Sequence, residues 1–120
     1  MKKLFKVKAR GLNESLIKFS RKITDCNFDA DGVKEFSGLV LGEMKRLDFD
    51  KVISDRVGNL IGVIKGYENK GPIVIISHMD IPSAEERKAG ACLESGIIKF
   101  KAGIISSIYA AALMKRTLLS

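Results

Sequence analysis

The stretch Asp50–His78, DKVISDRVGNLIGVIKGYENKGPIVIISH, is where the chain changes its hydrophobic period. Upstream of it, apolar residues recur every three or four positions. Inside it they gather into short runs rich in Val and Ile, the pattern of strands. Val52-Ile53 opens one strand and Leu60 to Ile64 forms another, with Gly58-Asn59 between them as a tight hairpin signal. YENKGP is polar and turn-like. The continuous apolar run Ile73–Ile76 then suits a strand buried on both faces, as in a parallel or mixed sheet covered by helices.

On the upstream side, Asn13 can cap a helix with Glu14 in its first turn, and Leu16, Ile17, Ser20 and Ile23 share one side. NESLIKFSRKITD (13–25) therefore reads as a first helix, preceded by a basic, loosely held lead-in over residues 1–12. CNFDADG breaks the pattern. Asp31 can cap a second helix, in which Val33, Phe36, Val40, Met44 and Leu47 make one apolar face. Downstream, PSAEERKAGACLESG is a charged loop, IIKF (97–100) a short strand, and AGIISSIYAAALMKR (102–116) a helix with Lys115 and Arg116 at its negative end. The resulting expectation is one α/β domain over residues 13–120, with helices packed on a small mixed β-sheet. A helix in such folds leads into a further strand, so the sheet is expected to be incomplete, with an edge open to self-association or to a second chain.

The chain has 120 residues, 46% of them hydrophobic and 29% charged, which suits a single soluble domain. No apolar run reaches the ~18 residues of a membrane span. MKKLFKVKAR is positive, but no apolar h-region follows it, so a cytoplasmic protein is expected. Cys26 and Cys92 form no CxxC pair and read as free thiols. The net charge of +7 is concentrated at the two ends. Without a nucleic-acid motif or aromatic residues interleaved with the cations, it reads first as a solvated surface and second as attraction to an acidic partner or substrate. No membrane partner is expected.

The chain's one histidine, His78, closes the apolar run, and Asp80 follows two residues later. A strand period of two puts both on one side, beyond the carboxyl end of a strand, where open α/β sheets bind ligands. Imidazole is a good zinc ligand, and a nearby carboxylate can accept its other N–H and fix the tautomer. The same pair also fits a satisfied polar contact in a loop. Spacing alone leaves both readings open. Glu85, Glu86 and Glu94 read as a solvated loop rather than as further ligands. Cys92 lacks the third, orienting group that a Cys–His nucleophile needs.

Three motifs in order give the surroundings a more specific character. Asp48-Phe49-Asp50-Lys51-Val52 resembles the G-F-D-x-V segment of the zinc-dependent aminoacylase, glutamate carboxypeptidase and acetylornithine deacetylase family of metallopeptidases. Asp55, Gly58, Asn59 and Gly62 match its D-x-x-G-N-x-x-G. Ser77-His78-Met79-Asp80-Ile81-Pro82 matches its G-H-x-D-T-V, and Lys101-Ala102-Gly103 looks like part of D-x-K-G-G. The resemblance covers roughly residues 13–117 and implies the N-terminal part of that family's catalytic domain.

The same resemblance implies that His78 is a zinc ligand and Asp80 its catalytic support. It implies zinc-dependent hydrolysis of a peptide or N-acyl amino acid substrate. It also places Lys99 where the family has an aspartate that bridges two zinc ions. An ammonium repels a dication, and the family's general base and remaining ligands have no counterpart here. One histidine and one aspartate cannot bind and activate a hydrolytic water. The expectation is a metallopeptidase-like protein that is inactive alone or half of a split enzyme. The alternative is a non-catalytic binding or assembly domain derived from that family.

Overall fold

The computed structural model describes residues 2–24, 30–68, 71–77 and 94–119, with residues 30–33 and 94–100 described by backbone alone. It contains helix α1 (Lys2–Thr24), helix α2 (Ala30–Arg46), strands β1 (Lys51–Ser54) and β2 (Leu60–Val63), and helix α3 (Glu94–Met114), which continues as a π-helical turn, Lys115–Leu119. The class is mixed, mostly helical with a small sheet. Among the described residues that sheet is one antiparallel pair with Lys51 opposite Val63 and Ser54 opposite Leu60, not a mixed sheet.

Helix α1 begins at Lys2 rather than at Asn13, so the basic segment is helical. It holds no proline, and its Lys, Leu and Ala residues are strong helix formers. Its inner face, Leu12, Phe19 and Ile23, is buried, while no side chain from Lys2 to Gly11 is. Arg21 and Lys22 occupy the last turn, where cations suit the helix dipole. The ammonium of Lys101 from α3 donates to the Ile23 carbonyl there.

Helix α2 buries Phe36, Val40 and Met44, as its spacing predicts, with Leu47 buried just beyond its end. It ends in a Schellman motif: Phe49 N–H donates to Met44 O at 3.1 Å and Asp48 N–H to Lys45 O at 3.0 Å. Asp48 occupies the left-handed position of that motif, with φ of 66°. The motif turns the chain directly into β1. The core lies between the helices, where Ile104, Ile108, Tyr109 and Ala112 of α3 meet the buried faces of α1 and α2. The segment Lys101–Leu119 is long and apolar enough by composition to cross a membrane, which a search for an uninterrupted apolar run does not register. It serves here as the helix on which the core is built.

Two expected strands are not strands. The backbone of Ile97–Phe100 lies within α3, where continuation of a long helix overrides the local preference of two isoleucines. Residues 71–77 have no regular structure. Among the described residues no backbone hydrogen bond joins them to another segment. Ile73 and Ile76 are 84% and 82% exposed, the opposite of a doubly buried strand. Their β-branched character favours a pleated surface only when a neighbouring strand supplies the ladder.

Candidate functional site

The motif region forms one structural unit around the hairpin. The loop between β1 and β2 runs through residues 55–59 and is not the two-residue turn that Gly58-Asn59 suggests. The Asp55 carboxylate organises it, accepting from the Asn59 side-chain amide at 2.8 Å, from Asn59 N–H at 2.8 Å and from Val57 N–H at 3.0 Å. These donors, the Asn59 side chain foremost, hold its carboxyl below the usual carboxylate range. Gly58 sits at φ of 94°, a region that disfavours side chains. At Gly62 a Cβ would lie 2.6 Å from both the Met44 sulfur and the Phe49 ring, so only glycine lets β2 lie against α2.

Asp50 ties the hairpin to its surroundings. Its carboxylate accepts from Lys65 N–H at 2.7 Å and from the Lys115 ammonium at 3.2 Å, and its pKa is lowered first by the Lys65 backbone and then by Lys115. Residues Asp50, Asp55, Gly58 and Gly62 thus shape the hairpin and its attachment.

Between the hairpin, α2 and α3 lies a cleft of about 470 Å³. Val40 and Met44 of α2, Leu60 of β2 and Ile104 and Ile108 of α3 make its apolar walls. Residues 73, 75 and 77 line it while 74 and 76 do not, the alternation of an extended chain. Ser77 anchors this segment on α3: its hydroxyl donates to Gly103 O at 3.0 Å and lies in hydrogen-bond contact with the Ser107 hydroxyl, which itself reaches Gly103 O at 2.7 Å. The residue preceding His78 is therefore held against α3 at the edge of the cleft.

His78 and Asp80 lie outside the described residues, as do Glu85, Glu86, Cys26 and Cys92, and Lys99 is described by backbone alone in α3. Among the described residues, no three His, Cys, Asp or Glu side chains converge as a metal site would require. The described part therefore supplies no zinc donor set, and no catalytic step follows from it.

Lys101 is 4% exposed; besides capping α1 it lies 5.1 Å from the Phe36 ring centroid. A second polar group lies inside the core and escaped the sequence reading. The Glu43 carboxylate takes a bidentate pair from Arg46 at 2.7 and 3.0 Å and a hydrogen bond from the Tyr109 hydroxyl. Burial alone would raise the Glu43 pKa, yet donation from Arg46 and Tyr109 lowers it overall. Burial, together with the negative Glu43 alongside, pushes the Tyr109 phenol up. The i,i+3 spacing of Glu43 and Arg46 is visible in the sequence; their meeting with Tyr109 depends on α2 packing beside α3. No family model, curated protein or solved structure matches the chain.

Proposed function

We propose that this chain is the front part of a metallopeptidase-type catalytic domain and works only with a second chain, the pair hydrolysing peptide or N-acyl amide bonds with zinc. One observation carries the reading: Ile73–Ile76, an extended apolar segment leading to His78, lies on the rim of the cleft without a strand beside it among the described residues. Four consecutive β-branched side chains exposed beside an open two-stranded sheet form a surface that an added strand would cover. The order of the three motifs along the sequence supports the same reading. His78 and Asp80 would contribute one ligand and its support, and the partner would contribute the remaining ligands and the general base.

Zinc content and hydrolysis of N-acetyl amino acids and dipeptides, measured on the purified chain alone and with the product of an adjacent reading frame, test the proposal. The expected result is no turnover alone, turnover with the partner, and loss of both zinc and turnover in His78→Ala. Absence of zinc and of hydrolysis in both settings would leave the second reading, a non-catalytic assembly domain. The observation favouring that reading is Lys99 at the position where the resemblance has an aspartate that bridges two zinc ions.

A further inference from the structure

Helix α1 presents a feature that neither the cleft nor the hairpin uses. Its first half carries Lys2, Lys3, Lys6, Lys8 and Arg10 with no acidic residue before Glu14. Among the described residues no carboxylate pairs with any of these cations. Lys2-Lys6 and Lys6-Arg10 are i,i+4 like-charge pairs, which oppose helix formation. Lys2 and Lys3 sit at the positive end of the helix dipole, where cations are unfavourable. No side chain from Lys2 to Gly11 is buried in the core. An anionic surface would relieve both repulsions.

The helical form also aligns apolar side chains that a loose lead-in would scatter. Leu4 and Val7, 45% and 61% exposed, stand one turn apart with Gly11 continuing their line. At about 100° per residue, Lys3 and Arg10 fall on one side of that line and Lys8 on the other. An apolar strip flanked on both sides by long cationic side chains suits the interface of an anionic bilayer: the strip enters the acyl boundary while the ammonium groups reach the headgroups. A nucleic acid would use the cations and leave Leu4 and Val7 without a role.

We propose that the exposed first half of α1 docks this chain on anionic lipid surfaces. The test is flotation of the full chain with vesicles of pure phosphatidylcholine and with vesicles containing phosphatidylserine, at low and high salt. Binding should be on the order of tenfold or more stronger to the anionic vesicles and should fall as salt rises. The triple variant Lys3→Glu, Lys8→Glu, Arg10→Glu should lose it. The double variant Leu4→Ser, Val7→Ser should weaken vesicle binding severalfold while leaving retention on heparin unchanged, with circular dichroism showing that both variants fold. Equal binding to both vesicle types, or none, would overturn the proposal. So would unchanged vesicle binding by the Leu4/Val7 variant, which would make the patch a general polyanion site of the kind a nucleic acid occupies.

Discussion

At the scale of single residues, the backbone positions in and around the hairpin motifs give the sharpest expectations. Gly62→Ala places a methyl group against Met44 and the Phe49 ring, and is expected to destabilise the fold by about 1–3 kcal/mol in denaturant unfolding. Asp48→Gly should do the reverse, by about 1 kcal/mol, because the left-handed φ at the Schellman position costs a side chain that glycine lacks. The Glu43 group makes stability depend on pH. Its folded pKa lies below the ordinary 4.5, so its contribution is complete above that value and is lost as pH falls through the folded one. Glu43→Gln should cost about 1–2 kcal/mol at neutral pH, a value reduced by the half-exposed Arg46 partner. The variant should also show a shallower loss of melting temperature in acid than the parent.

At the scale of elements, α2 follows its periodicity, whereas α1 starts at Lys2 and buries Leu12, Phe19 and Ile23 while Ile17 of the expected face is 40% exposed. Phe36, Val40, Met44 and Leu47 are all buried as their spacing predicts, since one apolar stripe has one way to face a core. Ile73–Ile76 have the composition of a buried strand, with no hydrogen-bonding partner strand among the described residues. Val74→Lys with Ile76→Lys alters side chains that are 71% and 82% exposed. The melting temperature of this double variant should match that of the parent, while concentration-dependent association, followed by sedimentation, should be suppressed. Unchanged association would shift attention from this segment to another surface.

At the scale of the whole molecule, stability resides where α1, α2 and α3 meet, and the first half of α1 lies outside that core. Deleting residues 2–8 should therefore change the unfolding free energy by less than about 1 kcal/mol, whereas Phe19→Ala, at a side chain 3% exposed, should cost about 3–5 kcal/mol. The two measurements together separate a docking element from a structural one. The sequence by itself determined the second helix, the helix over Ala102–Met114 and the two hairpin strands, because period and turn chemistry are local properties. It also singled out His78 and Asp80, which lie outside the described residues. Only the tertiary structure decided that Lys101 caps α1 and that buried Glu43 and Tyr109 are joined by a half-exposed Arg46. It also decided that Gly62 is a packing position and that Ile73–Ile76 remain uncovered. Each of these depends on which segments become neighbours across long stretches of chain, and a local pattern of side chains carries no record of that.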